Sequence, residues 1–283
     1  MKKVIVITGS STGFGALMAR TFSREGYTVI ATMREVNGKN AGAAKELGSL
    51  PNTEVVELDV TSDTSVKSAI SQVLEKYQQI DVLINNAAVF SGGLLEAFSV
   101  EQVKRVFDAN VFSVLRVNNE VLPAMRAAKD GLIITISSSV GRVSPPFQAP
   151  YNATKFAIEG FVEASYAELI GQGIETVLIE PGAFLTEIWG KSGIGADRQG
   201  IAEAYGEATA DLQKHIESVF GKVLQEKKPN PQLIADTTLR LVKMEKGKRP
   251  LRTPIDPSAN GADVAYNEAT INAAAHWKNQ YGL

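Results

Sequence analysis

Short apolar runs recur along the first two thirds of the chain, separated by longer stretches with helical periodicity. Val4 to Ile7 is a continuous β-branched run, the pattern of a strand buried on both faces of a parallel sheet. Tyr27 to Thr32, Glu54 to Asp59, Ile80 to Ile84, Leu132 to Ile136 and Thr176 to Glu180 read as further strands. Between them, Ala16 to Arg24 is helical, with Gly26 closing it as a C′ glycine. Thr61 or Ser62 is suited to cap a helix running through Tyr77. Val100 to Ala128 carries one long amphipathic pattern with Asn110 in its middle, and Tyr151 to Gly171 another apolar-rich helix. Strands alternating with helices of this length predict an α/β fold with a doubly wound parallel sheet. No composition break interrupts the first 180 residues, so one domain is expected.

The pattern loosens after Thr186. Residues 187–228 are polar, glycine-bearing at first and helical from Ile201 to Leu224. Pro229 and Pro231 precede a helix to about Met244, Leu251 to Ile255 adds a last strand, and Ala262 to Trp277 reads as a terminal helix.

Composition narrows the function more by exclusion than by suggestion. The 283 residues are 44% hydrophobic and 21% charged, ordinary for a globular protein. A net charge of −2 leaves no basic footprint for nucleic acid. There is no cysteine, hence no disulfide, thiolate nucleophile or cysteine-ligated zinc. His215 and His276 are far apart and in no ligand spacing, so no metal site is expected. No secretory h-region follows Met1, and no apolar run approaches the ~20 residues of a membrane span. A cytoplasmic location is the expectation.

Three stretches carry candidate chemistry. The first is the turn after the first strand, Thr8-Gly9-Ser10-Ser11-Thr12-Gly13-Phe14-Gly15. Glycines let the backbone turn sharply and approach a pyrophosphate, and the following helix offers unpaired N–H groups. The second is Met33-Arg34-Glu35 at the end of the second strand. An Arg there accommodates a 2′-phosphate, whereas an acidic side chain binds the ribose hydroxyls. Arg34 favours NADP(H); Glu35, two residues past the strand tip, leaves NAD(H) open.

The third is Tyr151-Asn152-Ala153-Thr154-Lys155, which puts a phenol and an ammonium one helical turn apart on one face. A free phenol, with a pKa of about 10, is a poor acid or base at neutral pH. A nearby positive charge favours the phenolate, so Lys155 is expected to draw Tyr151 down into the range of general acid–base work. The spacing alone arises easily by chance. It gains weight because Ser137-Ser138-Ser139 and Asn86 also lie at strand ends, where ligands bind in such sheets.

In this order the motifs make the chain resemble the classical short-chain dehydrogenase/reductase family over roughly residues 3–190. The family's T-G-x-x-x-G-x-G turn matches Thr8 to Gly15, and its N-N-A-G stretch matches Asn85 to Ala88, with Ala88 in place of the usual glycine. Its helix asparagine matches Asn110, its serine Ser138, and its Y-x-x-x-K pair Tyr151 and Lys155. Its P-G-x-x-x-T segment matches Pro181 to Thr186.

The resemblance implies a single Rossmann-type domain over 1–283, with a substrate lid at about 187–228 and an extension at about 256–283. It implies that Tyr151 exchanges a proton with a ketone or alcohol oxygen, that Lys155 tunes Tyr151 and holds the nicotinamide ribose, that Ser138 polarises the carbonyl, and that Asn110 holds a water linked to Lys155. For the cofactor it implies Gly9, Ser11, Thr12, Gly13, Phe14, Gly15, Arg34, Asp59, Val60, Asn86, Ala87, Ala88, Tyr151, Lys155, Pro181, Gly182, Phe184 and Thr186.

Val140, Phe147, Gln148 and Trp189, with Ser138, are candidates for substrate contact, as are Ile194 and Tyr205. The activity implied is NADP(H)-dependent interconversion of a small-molecule ketone or aldehyde and an alcohol, with a homodimer or homotetramer as the assembly. The alternatives are an NAD-linked hydroxysteroid- or retinol-type dehydrogenase and a non-catalytic dinucleotide sensor; the latter could dispense with Ser138, Tyr151 or Lys155, and this chain keeps all three.

Overall fold

The computed structural model describes residues 2–189 and 193–282. In chain order the elements are β1 (Val4–Ile7), α1 (Gly13–Arg24), β2 (Thr28–Met33), α2 (Ala41–Gly48), β3 (Thr53–Glu57), α3 (Asp63–Tyr77) and β4 (Val82–Asn85). There follow β5 (Ser91–Gly92), α4 (Val100–Phe107), α5 (Ser113–Ala128), β6 (Gly131–Ile136), α6 (Ala149–Ile170) and β7 (Ile174–Pro181). The last part holds β8 (Ile194–Gly195), α7 (Gln199–Ala204), α8 (Gly206–Lys227), α9 (Gln232–Lys243), β9 (Arg252–Ile255) and α10 (Ala262–Gln280).

Seven strands form one sheet in the order β3-β2-β1-β4-β6-β7-β9, every neighbouring pair parallel. The two-residue strands β5 and β8 pair separately. Alternation along each strand feeds two cores. Ile5, Ile7, Ala31, Ile84 and Ile134 pack with Met18 and Phe22 of α1 and Ile234 and Leu241 of α9. Val4, Val6, Ile30, Leu83 and Ile133 pack on the other face with Ile70 and Val73 of α3 and Val117 and Val121 of α5. Both faces are covered, which is why the strands read as unbroken apolar runs. Strand order reverses between β1 and β4, and in such sheets the crevice beyond the carboxyl ends at the reversal is the ligand site.

One sequence expectation changes, and the packing of the terminal helix, which the sequence left open, is defined. The long amphipathic pattern from Val100 is not one helix: α4 and α5 are joined by a π-helical turn at Asp108–Phe112. Asn110 sits in that turn, its side chain bound to another segment, and the turn absorbs the extra residue such an inserted contact demands. The terminal helix docks on its own chain. Asn267 donates to the Glu180 carboxylate, Arg142 reaches Thr270 Oγ1 at 2.6 Å, and Lys278 pairs with Glu163 at 3.2 Å. The Ser62 cap is as expected, its hydroxyl accepting from Ser65 N at 3.3 Å.

Candidate active site

The turn between β1 and α1 is held by close backbone packing. Gly9 has φ +67°, and a Cβ there would lie 2.8 Å from Ala87 Cα. A Cβ on Gly15 would overlap the Gly9 carbonyl and come within 2.7 Å of Asn86 Nδ2. Asn86 knits the two strand ends together, donating from Nδ2 to Thr8 O at 2.8 Å and Gly9 O at 3.0 Å. Thr8 Oγ1 in turn accepts from the Asn86 and Ala87 amides at 2.9 and 3.1 Å. Thr12, the N-cap of α1, makes no side-chain capping bond. The first amides of α1 therefore open onto the crevice without a capping side chain, an arrangement that suits a phosphate.

Ser138 lies two residues past the end of β6, and Tyr151 and Lys155 stand on the first turns of α6. The Ser138 hydroxyl donates to Pro181 O at 3.3 Å and accepts from Val140 N at 3.3 Å. The turn Ser139–Gly141 lies tightly on α6, since a Cβ on Gly141 would be 3.1 Å from Lys155 O. Lys155 Nζ donates to Ile136 O at 3.0 Å and lies 5.6 Å from the centre of the Tyr151 ring. Phe90 packs edge-on against that ring with centroids 5.3 Å apart. Burial of Lys155 pulls its pKa down to about 8, opposed by the Glu159 carboxylate one turn further along α6.

The expectation that Lys155 draws the Tyr151 pKa down does not describe this geometry. Burial pushes the phenol up, and what pulls the other way is its contact with the Ser138 hydroxyl. Desolvation outweighs the charge because the ammonium, itself buried, points to the Ile136 carbonyl.

The Asn110 side chain is held by protein groups. Its Oδ1 accepts from Val89 N at 2.8 Å, and its Nδ2 donates to Val89 O at 2.9 Å and Thr154 Oγ1 at 3.1 Å. Both amide donors are spent on protein groups, so its side chain positions the segment before Phe90.

One cleft of about 1730 Å³ brings the expected residues together. It is lined by Gly9, Ser11, Thr12, Gly13, Phe14, Arg34, Asp59, Val60, Asn86, Ala87, Ala88, Ser138, Tyr151, Lys155, Pro181, Gly182, Phe184 and Thr186. Gly15 and Asn110 are not among its lining residues and act from behind it. Val140, Phe147 and Gln148 line it as well. The side chain of Trp189 lies outside the described residues. Tyr205 is turned away, exposed and donating to Glu96 at 2.8 Å, and Ile194 is in the β5–β8 pair.

Several lining residues were not singled out from sequence. Lys39 joins Arg34 at the far end of the cleft, and Ile216 and Phe220 of α8 with Tyr266 of α10 close the near end. Phe90 had a signal, standing two residues after the Asn85–Ala88 stretch. Lys39 had none, in a Gly- and Asn-rich loop without periodicity. Among the described residues, no group of three or more His, Cys, Asp or Glu could hold a metal ion, and no helix is long and apolar enough to cross a membrane.

A parallel sheet with a glycine turn at its reversal, and a Ser, Tyr and Lys converging beyond it, defines a dinucleotide-dependent oxidoreductase. The chain belongs to the short chain dehydrogenase family, whose model matches residues 3–196. It is similar to 3-ketodihydrosphingosine reductase of Bacteroides thetaiotaomicron, 33% identical over 90% of this chain and 88% of that one. It is also similar to NADPH-dependent 3-dehydrocapnine reductase of Ornithobacterium rhinotracheale, 31% identical over 76% of each chain. The fold matches that of a short-chain dehydrogenase from Streptomyces avermitilis with a TM-score of 0.78, at 27% identity, covering 100% of this chain and 97% of the other. The protein is thus an oxidoreductase that uses a nicotinamide dinucleotide and acts on a small molecule.

Proposed function

We propose that the protein is an NADP(H)-dependent oxidoreductase that interconverts a lipophilic ketone and its secondary alcohol, with Tyr151 as the proton donor and acceptor. The observation that carries this reading is the convergence of Ser138, Tyr151 and Lys155 on one face of the cleft, below the glycine turn. The residues present fit a dinucleotide: the turn from Gly9 through Phe14 lines the cleft, and the uncapped start of α1 answers a pyrophosphate's charge. When bound, the nicotinamide supplies or takes the hydride.

The protein manages the oxygen. Ser138 holds the carbonyl by a hydrogen bond that strengthens as charge develops there. Tyr151, kept protonated by burial, donates its proton to that oxygen in reduction and recovers one in oxidation. Lys155 presents a positive charge beside the phenol and has hydrogens left for a ribose hydroxyl after its bond to Ile136 O. The Phe90–Tyr151 contact and the Ser139–Gly141 turn, packed on α6, hold the phenol in place.

Phosphorylated cofactor is supported by Arg34 and Lys39, two cations at the end of the cleft beyond β2, and by the dependence named for the Ornithobacterium relative. A lipophilic substrate is supported by Val140, Val143, Phe147, Ile216 and Phe220 in the near end of the cleft, where α8 serves as the lid. Assembly as a homodimer or homotetramer is supported by Phe112, Phe156 and Phe161, 47%, 43% and 46% exposed on the π-turn and α6.

The test is NADPH oxidation against a panel of long-chain ketones, with Tyr151→Phe as control; equal turnover by both proteins would refute the proton-donor assignment. Fluorescence titration of Arg34→Ala should weaken NADPH by about 10- to 100-fold, the worth of one charge-assisted contact, and leave NADH nearly unchanged. Tighter binding of NADH than NADPH by the unaltered protein would remove the cofactor assignment.

A further inference from the structure

Arg34 and Glu35 follow one another past the end of β2 and pull in opposite directions. Arg34 suits a 2′-phosphate, and Glu35 suits the bare ribose hydroxyls. The backbone separates them. Arg34 lines the cleft together with Lys39 and Asn40, whereas Glu35 is not among its lining residues.

Glu35 is turned away by an unusual backbone. It has φ +53°, in the left-handed region that disfavours a residue carrying a Cβ. Its side chain is folded back over its own turn. A Cβ on Gly38 would lie 3.7 Å from Glu35 Cβ and 4.0 Å from its carboxylate Oε2. A non-glycine residue keeps such a conformation only where its surroundings over-determine it.

Asn40 supplies most of that constraint. Its Nδ2 donates to Arg34 O at 2.6 Å, and its backbone N–H donates to Glu35 O at 3.1 Å, so one residue holds two successive carbonyls. Gly38 N adds a bond to Glu35 O at 3.0 Å, and Val36 packs against the apolar core from within. Asn40 is itself anchored, its carbonyl accepting from Ala44 N at 2.9 Å in the first turn of α2. An asparagine at a helix N-cap ordinarily turns its side chain to the first amides of that helix. Asn40 holds the N-cap position of α2 but makes no side-chain capping bond; its amide is spent on Arg34.

We propose that Asn40 is the positioning residue for cofactor choice. By holding Arg34 O and the Glu35 backbone, it keeps the carboxylate out of the cleft and leaves Arg34 and Lys39 to face a 2′-phosphate unopposed. The inference rests on the reading of the cleft as an NADP(H) site and adds the device that sets the preference. A carboxylate released into the cleft repels the phosphate and accepts from the ribose hydroxyls. Loss of Asn40 therefore acts on the ratio of the two dinucleotides, more than on the affinity for either.

The test is fluorescence titration of NADPH and NADH, read as the ratio of their dissociation constants within each protein, so that a general loss of affinity cancels. Asn40→Ala should cut the preference for NADPH by about threefold to fivefold, the worth of one exposed charge contact. Glu35→Gln alone should keep or raise the preference. On the Glu35→Gln background, Asn40→Ala should move the ratio by less than about 1.5-fold, because the charge it restrains is gone. Glu35→Gly should protect the ratio from Asn40→Ala in the same way, since glycine enters the left-handed region freely and carries no carboxylate.

A preference for NADPH that Asn40→Ala leaves unmoved overturns the inference and leaves the NADP(H) reading standing. A fall that persists undiminished on the Glu35→Gln background also overturns it, because Asn40 then acts on Arg34 alone. Tighter binding of NADH than NADPH by the unaltered protein, or binding of neither, overturns the NADP(H) reading and the inference with it.

Discussion

Asn110 grips Val89 by both of its backbone polar groups, accepting from its N–H at 2.8 Å and donating to its C=O at 2.9 Å. The side chain thereby acts as a short piece of sheet partner for a segment that has none. The next residue is Phe90, which packs on Tyr151. Replacing Asn110 by Ala strands buried polar groups on Val89 and Thr154. A loss of about 2–4 kcal/mol is expected from two to three such bonds, read as a lower denaturation midpoint. A lower kcat should accompany it, with dinucleotide affinity nearly intact, because neither Phe90 nor Asn110 belongs to the glycine turn.

The glycine turn predicts the opposite split. Gly15→Ala forces a methyl into the Gly9 carbonyl and the Asn86 amide, both of them held by other bonds. Overpacking of this kind costs about 1–3 kcal/mol. Dinucleotide affinity should fall at least tenfold in a fluorescence titration. Gly42→Ala is the contrast: a Cβ on this α2 residue meets nothing within 4 Å. Removing glycine's unfolded-state freedom there should stabilise the protein by about 0.5–1 kcal/mol.

Burial of Lys155 ties stability to alkaline pH. Its pKa is near 8 in the folded chain against an ordinary 10.5, so between these values the unfolded chain binds the extra proton. Lys155 therefore costs stability below pH 8, and that cost is relieved as pH rises from 8 towards 10.5. Glu180 acts at the acid end with a different sign. Its raised pKa means that the folded chain holds a proton the unfolded chain releases above 4.5, so its contribution falls as pH rises through and above that value. Urea midpoints measured against pH should lose the alkaline rise in Lys155→Met and the acid-side fall in Glu180→Gln.

Arg252 joins α6 to β7 and β9 through Glu159, Glu163 and Glu180. Its side chain is only 6% exposed. Arg252→Met leaves buried carboxylates without their cation, a change that costs about 3–5 kcal/mol. Chemical denaturation should report that loss. The double replacement Arg252→Met with Glu159→Gln should recover part of it, and failure to recover any would place the cost in packing.

How far the sequence could be read depended on whether a feature was local. The β1 run, the glycine turn, the Ser62 cap and the Tyr151–Lys155 spacing are each set by neighbouring residues, and all stand as the pattern indicates. The π-turn at Asn110 was illegible because its cause, the Val89 backbone, lies in another segment. The direction in which Tyr151 is shifted was misread for a related reason. Spacing shows a cation nearby but not how deeply both groups are buried, and burial decides the balance. Lys39, Asp256 and Asn267 reach the cleft through loop and helix docking that no short-range pattern encodes.

The docking of α10 has an evolutionary corollary. The same helix that ties down Glu180 also walls the crevice with Tyr266 and Asn267. Transplanting the tail of another lineage onto this scaffold would swap selectivity and foundation together, so new preferences here must arise by replacing single side chains rather than by exchanging the whole segment.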